Sequence, residues 1–540
     1  MKNILNKLLL ATSVSALIFS CTDLEEELVG ELNQTFDVTA PAVGGAAGGG
    51  GDALAGSYAG LRGSGTANHF GYFSIQGLPS DEMCIAAKGG DWYDGGVLVQ
   101  MHRHTYDPTN GIIGNTWNGQ YNAIQQINND LGDATKNLTA EETMQLRALR
   151  AYFYWRLLDL YGRVKIVTES ATGAQASQAE LYAFIESELL TALGTSGITA
   201  TTTFDGSGLN ATSSVYRVNR YAALGFLTKL YLNHKTYLGA EDMAIYQKAE
   251  YAAQIIMDSG QYQLCGVGCS VSNLAKRPAV AEDPDNLEGY AAVFAPNNDN
   301  NIEHIFSVNY DEATAGGMNF AKMTLHYSSQ LTWNFEAQPW NGYATLEEFY
   351  NSYDTNDLRR ANNFIQGPQK DYGGSALNDF AADDPGGIVL NYTPFINELE
   401  PNAFREGGAR LGKFSFQQFG RPDQNNDFPI VRYGDVMLMY AEARYRQNNW
   451  SDATALSVVN QLRTRAGVGT YSSMTSDEFL AERGREMFQE SSRRTDLIRW
   501  GIYSSGTWWE KSASPAHKAL YPIPFDILQS STGYTQNTGY

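Results

Sequence analysis

Cysteine is scarce in this chain: four residues in 540, with no second pair of ligands spaced to complete a zinc site. Basic residues are also few. Thirty-eight Lys and Arg stand against 59 Asp and Glu, a formal net charge of −21, and nowhere do the cations cluster. Nucleic acid is therefore excluded as a partner, because neutralising phosphates takes a basic face. Only seven histidines occur; His102 and His104 have strand spacing and no carboxylate cluster beside them, which marks them as structural. Beyond the first twenty residues no apolar run approaches the roughly 20 residues that a helix needs to cross a bilayer. Glycoside hydrolysis needs two opposed carboxylates. Among 59 acidic residues no local motif designates such a pair, so catalysis is not expected.

What is present begins at the N-terminus. Lys2 and Lys7 flank or precede an uncharged run from Leu8 to Ser20, which has the length of a secretory signal core. It ends in Leu17-Ile18-Phe19-Ser20-Cys21, which is similar to the lipobox of bacterial lipoproteins, where the Cys is acylated. Two or three acyl chains on Cys21 anchor stably where one would not. The acidic stretch Asp23 to Glu27 resembles the surface-export signal of Bacteroidetes lipoproteins. Residues 1–20 thus read as a signal peptide, Cys21 as the lipidated residue, and 21–51, ending in a Gly/Ala run, as a tether. The expected location is the outer membrane, facing the exterior.

Hydrophobic residues make up 43% of the chain, enough for a sizeable core. Residues 52–110 are rich in Gly and turn formers and read as loop. Thr139-x-x-Glu142 is a capping box opening a helix to Leu160, with Leu146, Leu149, Phe153 and Leu157 on one buried face and Gly162 as the stop. Further helices are expected at 179–193, 221–234, 246–259, 434–447, 451–466 and 477–490, the last opened by Thr475-x-x-Glu478. Such pairs point to a mainly α, tetratricopeptide-like helix-turn-helix scaffold. A loop-rich insert at about 265–430 divides the two helical groups, with a strand at Ile302–Phe306. Cys265 and Cys269 bracket a short glycine loop that can close as a disulfide. Glu442, Glu482, Glu486, Arg463, Arg465 and Arg499 lie on helices with apolar faces and read as scaffold ion pairs.

Several blocks then carry a family resemblance. They are Arg147-Ala148-Leu149-Arg150-Ala151-Tyr152-Phe153-Tyr154 running to Asp159-Leu160-Tyr161-Gly162, Ser259-Gly260-Gln261-Tyr262, Pro429-Ile430-Val431-Arg432-Tyr433, and Arg463-x-Arg465-Ala466-Gly467. Glu482-Arg483-x-x-Glu486, Arg494-x-Asp496-Leu497-Ile498-Arg499-Trp500, Pro522-Ile523-Pro524 and Gln536-Asn537-x-Gly539-Tyr540 follow. In that order they resemble the SusD/RagB family of Bacteroidetes nutrient-binding lipoproteins. The resemblance implies an N-terminal helical region over 52–275 and a C-terminal SusD/RagB region over 276–540. It also implies capture of oligosaccharides (in some members peptides) and a SusC-like TonB-dependent transporter as partner. It calls for no cofactor and leaves a structural calcium ion in the insert open.

Aromatic residues reach 12% of the chain, with 32 Tyr, and rigid rings suit the apolar C–H faces of sugars. The expected ligand loop is Ser80-Asp81-Glu82 with Asp91-Trp92-Tyr93-Asp94 between glycine pairs: Trp92 stacks, and Asp91 or Asp81 accepts from hydroxyls. A second set comes from the insert: Tyr310, Tyr327, Trp333, Trp340 and Tyr343, with Trp333 ranked above Trp340. Trp117 is assigned to the core.

Overall fold

The computed structural model describes residues 52–540 apart from 213, 315 and 381–386. Cys21 and the tether lie outside the described residues.

The chain enters its helices through capping side chains. Helices α1 (Ala55–Gly63), α2 (Tyr72–Gly77) and α3 (Val97–Arg103) come first, so the segment expected to be loop carries three short helices. Its glycines sit mainly at their ends and turns, which is why composition misled. Helix α4 (Gly111–Gly132) starts at Asn110, whose side chain accepts from the Ile112 amide. Helix α5 (Ala140–Tyr161) opens on the Thr139/Glu142 capping box and stops at Gly162, at φ 71°. A second box, Ser177 with Glu180, opens α6 (Gln178–Leu193). Helices α7 (Arg220–Leu232) and α8 (Met243–Asp258) start at Asn219 and Asp242. A cap of this kind contributes roughly 1 kcal/mol and fixes where each helix begins.

After the insert come α9 (Tyr433–Gln447), α10 (Ala453–Arg465), α11 (Ser476–Met487, behind the Thr475/Glu478 box) and α12 (Arg493–Arg499). Each helix from α4 to α10 packs on the next, and α8 packs directly against α9 across the 259–432 excursion. The two helical groups are therefore one continuous stack of helix pairs. Helix α5 is its centre: from Gln145 to Tyr161 every residue but Arg147 is buried, rather than one face only. Neighbours on all sides explain this, and its buried charges are matched: Arg150 pairs with Glu188, Arg156 donates to the Tyr152 hydroxyl and Asp159 pairs with Arg494. Trp117 is a core residue, 2% exposed.

Two antiparallel ladders tie the insert to the rest of the chain. Strand β1 (Met83–Ile85) pairs antiparallel with β3 (Tyr343–Thr345), and β2 (His304–Val308) with β4 (Phe428–Arg432), which runs straight into α9. The β2 strand sits two residues later than expected. Tyr343 to Thr345 is strand, and the helix after it begins at Glu347.

The charged helix residues pair as expected. Glu442 accepts from Arg499 at 2.7 Å and Arg446 at 2.8 Å. Glu482 binds Arg359, Arg463 and Arg485 at 2.8, 2.6 and 2.7 Å. Glu486 binds Arg359 at 3.2 Å, Arg432 at 3.0 Å, and Arg465. Burial alone would raise these carboxyls, but the surrounding guanidinium groups hold Glu442 and Glu482 down to about 2. An ordinary unfolded glutamate titrates near pH 4.3. A carboxyl depressed on folding contributes stability above the unfolded value and loses it as pH falls through the folded one. Unfolding titrations should therefore show stability falling between about pH 4.5 and pH 2. Glu486→Gln should destabilise by about 3–5 kcal/mol at pH 7, because three guanidinium groups lose a shared buried partner. Chemical denaturation of both proteins across that pH range measures both effects.

Candidate functional site

Four separate stretches meet at one cleft. The first is the loop Lys88 to Gly96. Its base is sewn to the 399–403 segment: the Ala87 amide donates to Leu399 O at 2.8 Å and the Gly89 amide to Pro401 O at 2.9 Å. Within it Trp92 and Asp94 take left-handed backbone at φ 62° and 43°. A non-glycine residue there costs on the order of 1–2 kcal/mol, and the surroundings must over-determine it. They do so here. The Trp92 indole N–H donates to Trp340 O at 2.5 Å, and the ring lies flush on Gly342. A Cβ on Gly342 would meet Trp92 Cζ2 at 2.8 Å and Met323 O at 2.6 Å.

The second stretch, 338–342, is pinned to the short helix Phe320–Thr324. Trp340, Asn341 and Gly342 donate backbone hydrogen bonds to Lys322, Leu325 and Met323 carbonyls at 2.6, 2.8 and 2.7 Å. This leaves the Trp340 ring 43% exposed, with the Lys322 ammonium 4.4 Å from its centroid. His69, from the third stretch, stands edge-on to both indoles, at 6.0 Å and 87° from each. Burial, with help from Lys322, draws its pKa down to about 4, so the imidazole is neutral at pH 7. Tyr327, from the fourth, closes one side by donating its hydroxyl to the Asp91 carboxylate. Burial and that carboxylate push the phenol up.

The result is an open cleft of about 380 Å³ lined by His69, Phe70, Asp91, Trp92, Asp94, Tyr327, Gln338, Pro339 and Trp340. Its walls are flat rings held by backbone hydrogen bonds. Its free polar groups are carboxylate acceptors, an amide and a neutral imidazole.

Of the residues expected from the sequence, Trp92, Asp91, Tyr327 and Trp340 come together here. Tyr93 is 47% exposed beside the cleft, its ring next to Gly96. Four expectations are corrected. Asp81 lies elsewhere, engaged by Arg493 through two 2.7 Å contacts. Tyr310 is 6% exposed and belongs to the main core. Trp333, ranked first in its group, is 9% exposed, stacked on Phe335 and edge-on to Phe416 in a small core of its own. Neither buried ring has a face left for a ligand. Tyr343 is fully buried as well. His69, Phe70, Gln338 and Pro339 were not foreseen. No local pattern marks them, because the cleft forms only where distant stretches meet, as His69 does with Trp340.

Cys265 and Cys269 form a disulfide with Cα atoms 5.4 Å apart, and burial pushes the Cys84 thiol up to about 12. Among the described residues no group of three or more His, Cys, Asp or Glu is arranged to hold a metal ion, and no helix is long and apolar enough to cross a membrane.

Comparison with known proteins places this architecture. Residues 297–540 match the model of the SusD family, and residues 86–232 match that of a SusD-like family described as starch-binding and associating with the outer membrane. The chain belongs to the SusD/RagB family. A relative is the starch-binding protein SusD of Bacteroides thetaiotaomicron, 24% identical over 515 residues, covering 87% of this chain and 85% of that protein. The SusD-like protein P25 of Formosa agariphila is 27% identical over 46% of this chain and 51% of its own. Surface glycan-binding protein A from Bacteroides thetaiotaomicron, solved with laminarihexaose, superposes with a TM-score of 0.66 at 19% identity, covering 90% of this chain and 98% of that one. A laminarin-binding SusD-like protein gives 0.61 at 21% identity, covering 90% and 99%. At such identities these structures show that the SusD fold is shared.

The Gly342 contact yields a test of the cleft's construction in this SusD/RagB protein. Gly342→Ala should leave far-UV circular dichroism intact, cost about 1–3 kcal/mol of stability through overpacking, and alter the near-UV tryptophan signal as the Trp92 indole is displaced. An unchanged near-UV spectrum would mean that Trp92 does not rest on Gly342.

Proposed function

We propose that this protein captures glycan chains at the cell surface and passes them to a SusC-like TonB-dependent transporter, held to the outer membrane by acylated Cys21. The observation that carries this reading is the Trp92–Trp340 cleft. Trp340 offers an exposed indole face, and Trp92 is fixed at right angles to His69 beside it. A pyranose stacks its C–H face on such a ring while its rim hydroxyls donate to carboxylates. Asp91 and Asp94 line the same cleft and supply such acceptors. The relatives named above for starch, glycan and laminarin binding support the same reading, as does the outer-membrane association in the family description. Binding without catalysis is the consistent role. The two carboxylates of the cleft sit three residues apart on one loop rather than on opposite sides of a scissile bond.

Calorimetry or affinity electrophoresis across a polysaccharide panel tests this directly. Trp340→Ala and Trp92→Ala should each weaken the bound glycan at least ~10-fold, the loss expected of a central aromatic anchor. Unaltered affinity in both variants would remove the cleft from the account. Failure to bind any glycan, with binding to peptides instead, would replace the ligand class.

A further inference from the structure

Resting on that glycan reading, we infer that the cleft selects neutral glycans and rejects chains bearing uronate or sulfate groups, with Asp91 and Asp94 as the residues that enforce the choice. Among the described residues, the charged side chains lining the cleft are these two aspartates, with no Lys or Arg beside them. Each cation nearby is engaged. Lys322 lies over the Trp340 ring and 3.3 Å from the Asp423 carboxylate. The Arg405 guanidinium is 2.7 Å from Asp379. The Lys88 ammonium turns onto the Ala86 carbonyl at 3.0 Å, and burial draws its pKa down to about 7. His69 is neutral at pH 7. An anionic substituent entering here meets two carboxylates, while the neighbouring cations are already paired or held on a carbonyl, in a site walled by low-dielectric rings. Sites built for carboxylate or sulfate groups present Arg or Lys instead. The rest of the chain adds to the repulsion: a net charge of −21 opposes the approach of a polyanion at low salt.

The same carboxylates favour neutral sugars because hydroxyls donate to them. Asp91 already accepts from Tyr327, which fixes its orientation and leaves its remaining lone pairs for the ligand. Selection thus comes from both attraction of hydroxyl donors and repulsion of anions.

The experiment compares matched glycans on the purified protein by calorimetry. Starch, laminarin and mannan form the neutral arm; polygalacturonate, alginate and a sulfated galactan form the anionic arm; chitosan oligomers form a cationic arm. All are measured at low and high NaCl. A neutral glycan should bind with an affinity that changes less than about twofold with salt, while anionic chains bind at least ~100-fold more weakly or not at all. Asp91→Asn with Asp94→Asn should weaken the neutral ligand and raise affinity for anionic chains about tenfold or more at low salt, narrowing at high salt. An anionic chain bound as tightly as any neutral one would overturn the inference and leave the glycan reading intact. Chitosan bound most tightly, and lost at high salt, would overturn it in favour of a cationic ligand. No binding in any arm would sink the glycan reading and the inference with it.

Discussion

The pairing of Arg432 with Glu486 and Glu490 is the interaction on which the rest of the molecule hangs. Arg432 is the last residue of β4, at the point where the insert returns to the helical stack. Its guanidinium reaches Glu486 at 3.0 Å, Glu490 at 2.6 Å and Glu303 at 3.2 Å. Glu303 adjoins β2 and accepts from the Cys265 amide at 2.9 Å, so through it Arg432 ties the start of the insert as well as its end to Glu486 of α11. Arg465 from α10 and Arg359 from within the insert close on the same carboxylates. Charges this deeply buried persist only when every partner is present. The network therefore sets where the long irregular excursion begins and ends on a rigid scaffold.

The cleft depends on that placement. Its walls come from residues 69–70, 91–94, 327 and 338–340, and none of these stretches is regular structure of any length. Such loops keep a fixed shape only if their ends are fixed. The β1–β3 ladder, the carbonyls of Lys322 to Leu325 and the 399–403 segment supply those fixed points. Two indoles held in this way lose little conformational freedom on binding, which is how a shallow open cleft can still hold a ligand. The left-handed backbone at Trp92 is the local expense of presenting the ring.

Helix positions were readable because their signals are local. Thr139, Ser177 and Thr475 each find their capping partner three residues on, and the terminating Gly162 needs only its own backbone. The scaffold ion pairs were readable as a class, since charges on apolar helix faces must be matched. Trp92 and Trp340 could be singled out because Gly, Asp and Asn flank them. Which tryptophan faces water could not be read. Trp333 is covered by Phe335 and by Phe416, the latter more than eighty positions away, while Trp340 is left open. Asp81 likewise looked like a ligand acceptor until Arg493, at the far end of the chain, claimed it. Local chemistry named the kind of residue; tertiary contact chose among them.

A crystal structure of the protein with a neutral oligosaccharide from its preferred polysaccharide bears most directly on this account. A sugar ring stacked on Trp340 beside Trp92, with a hydroxyl donating to Asp91 or Asp94, is the predicted result. The same oligosaccharide bound elsewhere, for example in the groove beside Asp81 and Arg493, with the Trp92–Trp340 cleft empty, would contradict it.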